Sequence, residues 1–197
     1  MLDLIDAGVV EQNSGTRQSV HRLSGPQQIR NAQVSETAHK IVQGALRGGR
    51  VTIYFDACCL NRLTDDQNQP RIAAEAEAVE QILRLLRAKA IEWLSSAALE
   101  AETRKNPDPE RRDEVQVLLL LATNTVPLDA QIIQRATELE AFGYGAFDAL
   151  HLSSAEAGTA EVLLTTDDRF IKRARRGVGS PHVRVLNPVE WLREQEV

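Results

Sequence analysis

The spacing of apolar residues changes at residue 51, and the change divides the chain. From Val51 onward, short apolar runs alternate with stretches whose apolar residues recur every three or four positions. VTIYF (51–55) is β-branched or aromatic at nearly every position, the pattern of a strand buried on both faces. IEWLSS (91–96), VLLTT (162–166) and VRVL (183–186) read the same way, and NTVPL (124–128) holds a short strand. Ile72, Ala76, Val79, Ile82, Leu83, Leu86 and Ala90 predict a long helix over about 72–90. A short helix follows IEWLSS and ends before Pro107; Pro109 opens another that runs to about Ala122. Asp129 caps a helix bearing Ile132, Ile133, Ala136 and Leu139, and Gly158 closes a helix over AFDALHLSSAEA (146–157). A basic helix lies between the last two strands. Strands alternating with helices predict an α/β fold: a three-layer α/β/α domain around a mainly parallel sheet, spanning 51–193 within a 51–197 unit.

Residues 1–50 lack a sustained period and are rich in Gln, Ser, Asn and Gly. A weak stripe of Val34, Ala38, Ile41, Val42 and Ala45 predicts a short helix over 35–46, which Gly48-Gly49 ends. The segment reads as a loosely structured extension. Two origins fit it. The domain starts abruptly at Val51 behind Arg47-Gly48-Gly49-Arg50, as expected if translation begins there and 1–50 is a misread upstream stretch. The alternative is an arm that contacts a partner through 35–46.

Composition narrows the class. Hydrophobic residues make up 43% and charged residues 26%, the balance of a soluble globular chain, with no apolar run near the ~20 residues a membrane span requires. Asp3, Asp6 and Glu11 interrupt the N-terminal apolar residues, so no secretory signal is read and the expected location is the cytoplasm. Cys58 and Cys59 are adjacent and alone, which excludes a disulfide framework and a four-cysteine zinc site. The net charge of −5 divides into +2 over 1–50 and −7 over 51–197. An acidic body argues against coating nucleic acid by bulk charge. It leaves room for an enzyme whose acids gather around metal ions.

Ligands of open parallel sheets bind outside the carboxyl ends of the strands, so the polar residues that follow each strand matter most. Asp56 follows 51–55, Glu100 and Glu102 lie on the helix leaving 91–96, and Asp167 and Asp168 follow 162–166. Asp148 opens the helix at 146–157. Carboxylates held together repel unless cations neutralise them, and Mg²⁺ or Mn²⁺ suits such oxygen donors. Two-metal versions, with ions ~3.5–4 Å apart, cleave phosphodiesters. The chemistry points to metal-dependent phosphodiester hydrolysis. Each acid also has a plainer reading: Asp56, Asp167 or Asp168 as a helix cap, Asp148 as a first-turn acid that complements the helix dipole. Glu100 competes with Glu102, since residues two apart on a helix point in different directions.

Four segments, YFDACCLNRLTDDQ (54–67), SSAALEAETRKNP (95–107), GAFDALHLSSAEA (145–157) and LLTTDDRFIKRA (163–174), resemble the PIN-domain ribonucleases, in the branch of VapC-type toxins of toxin–antitoxin modules. The resemblance covers nearly all of 51–193 and none of 1–50. It implies an α/β/α fold and acids that hold Mg²⁺ or Mn²⁺ to cut RNA. The family's acids then fall on Asp56, on Glu102 in preference to Glu100, on Asp148 and on Asp167, with Asp168 as neighbour or cap. It also implies a homodimer and a cognate antitoxin, with no membrane partner. One departure stands out: many members place Thr and then Asn or Ser after the first Asp, where Ala57 and Cys58 stand here. Asn61 substitutes for that neighbour or starts the following helix.

The remaining candidates are weighed against plainer roles. Cys58 and Cys59 read as small core hydrophobes. His151, one turn after Asp148, orients a carboxylate, contacts RNA or packs as a helix histidine; His182 faces solvent in a Gly-Ser-Pro loop. Arg169, Lys172, Arg173, Arg175 and Arg176 put five cations within eight residues beside Asp167, as a phosphate-binding rim or a solvated face. Arg62 and Arg71 are candidates to join that rim. A catalytically silent RNA- or protein-binding module and a non-toxin processing nuclease are the rival readings. A phosphatase with an aspartyl nucleophile would require Asp two residues after Asp56, where Cys58 stands.

Overall fold

In the computed structural model, which describes residues 50–195, five parallel strands form one sheet in the order β3-β2-β1-β4-β5. The strands are β1 (Thr52–Phe55), β2 (Glu92–Ser96), β3 (Asn124–Val126), β4 (Val162–Leu164) and β5 (Arg184–Leu186). The helices are α1 (Ala57–Asn61), α2 (Pro70–Arg87), α3 (Ala97–Arg104), α4 (Pro109–Leu119), α5 (Ala130–Ala141), α6 (Ala146–Ala157), α7 (Asp168–Arg175) and α8 (Pro188–Gln195). The predicted helix over 35–46 lies outside the described residues.

Period-two alternation on the central strand sorts the core into two layers. Ile53 and Phe55 face one side, with Trp93 and Leu164, and are covered by residues of α2 and α8 such as Val79, Ile82 and Trp191. Tyr54 and Leu163 face the other side, against Leu139 of α5, Leu152 of α6 and Phe170 of α7. This is the predicted three-layer arrangement. From β1 the chain winds through β2 to β3 in one direction, then crosses to β4 and β5 on the other side. The winding reverses between β1 and β4, the place where open α/β sheets form their crevices.

Several boundaries differ from the sequence reading for physical reasons. The long helix starts at Pro70 and stops at Arg87, short of Ala90, because Lys89 adopts φ 57° and the Ala90 N–H returns to the Leu85 carbonyl. That turn delivers Ala90 and Ile91 into the core. Thr165 and Thr166 leave the strand that periodicity assigned to them, and α1 is a five-residue helix that Asn61 ends rather than starts. The C-terminal helix, opened by Pro188, was not among the predicted elements. At its foot Glu75, 2% exposed, accepts hydrogen bonds from Arg62 Nε (2.7 Å), Arg71 Nε (2.9 Å) and Asn187 Nδ2 (2.9 Å), tying α1, α2 and the β5–α8 turn together.

Gly158 ends α6 as predicted, for a reason other than backbone freedom. Its φ is −85°, and it is Thr159 that takes the left-handed conformation at φ 57°. A Cβ at position 158 would stand 2.1 Å from Leu94 Cδ2 and 2.8 Å from Val126 Cγ2. Gly158→Ala is therefore expected to destabilise the domain by about 1–3 kcal/mol, the usual range for overpacking. A denaturant titration with an unchanged midpoint would refute this account of the α6–sheet contact.

Candidate metal centre

The parallel sheet sends the ends of β1, β2 and β4 to one edge, and each supplies part of the site. Asp56, the residue after β1, is 5% exposed. Its backbone N–H donates to the Leu164 carbonyl at 2.9 Å, which ties it to β4, while Oδ1 caps α1 at the Cys58 N–H. Oδ2 accepts from the Thr165 hydroxyl at 2.6 Å and from the Cys58 thiol at 3.1 Å. The hydroxyl that the resemblance would place just after the first Asp thus comes from Thr165, across the β1–β4 crevice. Nothing in the spacing of Thr165 announced this beyond its place in the T-T run before Asp167.

Cys59 is a core residue as read, and Cys58 packs against the same core while also reaching the site. Cys58 is half-buried at the site, touches Thr165 Oγ1 at 3.2 Å and accepts the Thr166 N–H, whereas Cys59 is fully buried and donates to the Leu164 carbonyl. Asn61 lends its backbone carbonyl to the turn after α1, accepting from Thr64 and Asp65. The neighbours that hold the Asp56 carboxylate are Thr165 and Cys58.

Glu102 and Glu100 separate as helix geometry requires. Ser96 caps α3 by accepting the Leu99 N–H at 3.1 Å, which sets the helix rotation. Glu100 faces solvent beside Arg104, while Glu102 turns inward and its Oε2 meets His151 Nε2 at 2.6 Å. That nitrogen is also 3.6 Å from Asp56 Oδ1. One ligand atom from each of Asp56, Glu102 and His151 lies within 4.8 Å of the others. That group does not include Asp148 or Asp167.

Asp148 belongs to the same electrostatic cluster nonetheless. Burial first, then the negative charges of Asp56 and Asp167, push its carboxyl up to about 6; the Gly145 N–H and His151 pull the other way. Gly145 leaves room for it, since a Cβ there would approach Asp148 Oδ2 to 3.2 Å. Asp167 caps α7 through Oδ1, which accepts from the N–H groups of Arg169 (2.6 Å) and Phe170 (3.2 Å). Asp168 turns away into two bonds with Arg71, both 2.8 Å, and that contact holds its carboxyl below the usual range. Burial alone would lower the His151 imidazole, but the Glu102 hydrogen bond and the surrounding carboxylates outweigh it and raise the pKa.

The basic residues divide. Arg62 is held between Asp65 and Glu75, Arg71 between Glu75 and Asp168, and Arg175 pairs with Glu190. Arg173 lies over the Tyr144 ring at 5.4 Å. Arg169 and Lys172 are exposed on α7, Arg169 in the first turn beside Asp167 and Lys172 in the last turn. His182 is exposed, as read from its loop.

The donor set fits a hard divalent cation: carboxylate oxygens of Asp56 and Glu102 from separate elements within 4.8 Å of one another, beside an Asp148 carboxyl pushed up by burial first and by the Asp56 and Asp167 charges second. The PIN domain sequence profile matches residues 53–176, well over half of the chain. The chain belongs to the PIN domain family. PIN domains are generally nucleases, and the acid cluster occupies the edge such a site requires. Among solved structures, the chain is similar to VapBC2 from Rickettsia felis bound to a DNA fragment from their promoter, with 20% identity and a TM-score of 0.48. That match covers 70% of this chain and 98% of the other. Comparison with curated proteins gives no match. No helix of the described residues is long and apolar enough to cross a membrane.

The raised Asp148 carboxyl has a thermodynamic signature. In the unfolded chain it titrates near ~3.9, so between there and about 6 the folded protein binds a proton that the unfolded chain has lost. Its contribution to stability is complete below the lower value and disappears as pH rises through the upper one. Asp148→Asn is expected to stabilise the metal-free protein at pH 7 by on the order of 1 kcal/mol, after allowance for solvent screening, and to flatten the decline of Tm between pH ~4 and about 6. Thermal unfolding in chelator at several pH values checks this; identical slopes for the two proteins would count against the cluster.

Proposed function

We propose that this PIN domain protein is a Mg²⁺- or Mn²⁺-dependent endoribonuclease of the cytoplasm, acting as the toxin of a toxin–antitoxin module. The observation that carries the reading is the gathering of Asp56, Glu102 and His151, whose ligand atoms lie within 4.8 Å of one another, beside an Asp148 carboxyl pushed up by burial first and by the Asp56 and Asp167 charges second. Asp56, Glu102, Asp148 and Asp167 are the residues that would hold the cation, directly or through water. When bound, the cation supplies activation of water and neutralises charge that develops on a phosphoryl oxygen.

The chain's own residues prepare that chemistry. Thr165 and Cys58 occupy Asp56 Oδ2, which leaves the other oxygen directed by the α1 N-terminus. Asp167 is fixed by two backbone N–H groups, so its second oxygen is the one available to a ligand. Exposed Arg169 beside it, and exposed Lys172 further along α7, provide cationic contacts for a phosphate backbone. Phe170, the aromatic residue of this rim, is 1% exposed and offers no face for base stacking, which favours recognition of RNA shape and accessible single strands. The toxin assignment, with an antitoxin partner and a homodimeric state, rests on the VapC-like motifs at 54–67, 95–107, 145–157 and 163–174.

The test is cleavage of a mixed RNA substrate by purified protein with Mn²⁺, with Mg²⁺ and with EDTA. Cleavage is expected with either metal and not with EDTA. Asp148→Asn should lose more than the ~100-fold that removal of an outer-shell partner costs, while Glu100→Gln retains activity. Full activity in Asp148→Asn, or cleavage that persists in EDTA, would overturn the proposal. Metal binding without cleavage of any RNA would instead identify a silent binding module.

A further inference from the structure

Tyr54 is the one polar side chain in the fully buried run Ile53–Tyr54–Phe55 at the centre of the sheet. A buried phenol must be matched by partners or it destabilises the fold, and phenylalanine would fill the same space without that demand. Here the partners form a line. The Leu99 N–H donates to Ser96 Oγ at 3.1 Å, Ser96 Oγ lies 2.6 Å from the Tyr54 hydroxyl, and that hydroxyl lies 2.8 Å from His151 Nδ1. His151 Nε2 completes it at Glu102 Oε2, 2.6 Å away. Ser96 is 1% exposed, and Tyr54 and His151 are not exposed at all.

We infer that Tyr54 and His151 are positioning residues that lock Glu102 as a metal ligand. The inference rests on the metal reading above and goes beyond it, since it assigns work to residues that hold no cation themselves.

The line begins and ends on α3: its first donor is the Leu99 backbone and its last acceptor is the Glu102 carboxylate. A glutamate has three rotatable side-chain bonds, and holding it still costs conformational entropy at the moment of binding unless something has fixed it beforehand. His151 does so from a rigid place. Its ring is flanked by Tyr54, with centroids 5.7 Å apart, and by Phe147 at 6.1 Å. Lys105, which follows α3, lies 4.6 Å from the Phe147 centroid and adds a second contact with α6 beside that of Glu102 with His151. The Nε2–H that holds Oε2 leaves Glu102 Oε1 for a cation and stands between the Glu102 and Asp56 carboxylates, where it offsets their repulsion. If the bonds run in one direction, with Ser96 donating to Tyr54 and Tyr54 to Nδ1, each polarises the next. The same bond also separates positioning from ligation: a nitrogen whose proton is directed at Glu102 has no lone pair for a metal.

The experiment is calorimetric Mn²⁺ titration of the full chain, beside thermal unfolding, for the wild type, Tyr54→Phe, His151→Leu and His151→Gln. His151→Leu should weaken Mn²⁺ binding by about 10–100-fold, the range for loss of an outer-shell partner. Tyr54→Phe should weaken it in the same direction while retaining a cooperative transition, and His151→Gln, whose amide can still donate to Glu102, should recover part of the loss. Electron spin-echo spectra of the Mn²⁺-loaded wild type should show no directly bonded nitrogen. Wild-type affinity in both Tyr54→Phe and His151→Leu, or a directly bonded nitrogen, overturns the inference. If His151→Leu does not fold, unchanged affinity in Tyr54→Phe is sufficient to overturn it. Failure of the wild type to bind Mn²⁺ sinks the metal reading itself, a result distinct from any difference among variants.

Discussion

Parallel pairing is the constraint on which the rest depends. With all five strands running the same way, every strand ends at one edge, and residues far apart in sequence are collected there. Asp56 and Asp167 flank the crevice between β1 and β4 because the winding reverses between those strands. Glu102 arrives on the helix that leaves β2, and Asp148 on the first turn of α6. A single antiparallel exchange among β1, β2 and β4 would send one of these groups to the opposite end of the sheet.

Collecting acids creates repulsion, and the fold disperses it by unequal means. Asp56 is saturated on one oxygen by Thr165 and Cys58, Glu102 by His151, and Asp167 by the α7 backbone. Asp168, the surplus acid, is withdrawn by Arg71. Asp148 receives the least relief and carries the raised pKa. Burial first, and the Asp56 and Asp167 charges second, set that carboxylate apart, on the side of the cluster where α6 begins.

Much of this was legible in the chain. The buried run at 51–55, the helical spacing over 72–90 and the Asp129 and Pro109 start signals identify the fold class, because each reports a local preference that tertiary packing reinforces. Asp56 and Asp167 stood out because strand ends in parallel sheets have a fixed geometric meaning, whereas the preference for Glu102 over Glu100 came from the resemblance. The partners of those acids were not legible. Thr165 reaches Asp56 across 109 residues of sequence, and Tyr54 reads as one more core aromatic until His151, 97 residues away, is seen beside it. Cys58 was read by residue type as a hydrophobe, yet its location on the capped first turn after Asp56 places the thiol at the site. Side-chain hydrogen bonds of long sequence separation leave no periodicity to read.

Glu75 gives the domain a temporal property as well as a spatial one. Its three donors come from α1, α2 and the turn before the final helix, and Arg71 links the same carboxylate to Asp168 beside the acid edge. Asn187 lies 112 residues after Glu75, and Asp167 likewise follows Asp56 far along the chain, so both leave a ribosome well after their partners. A nascent chain still attached there can form the first strands and helices, but it cannot assemble the crevice or complete the bonds around Glu75. Whatever chemistry the edge performs, it is withheld until Asn187 has emerged to meet Glu75.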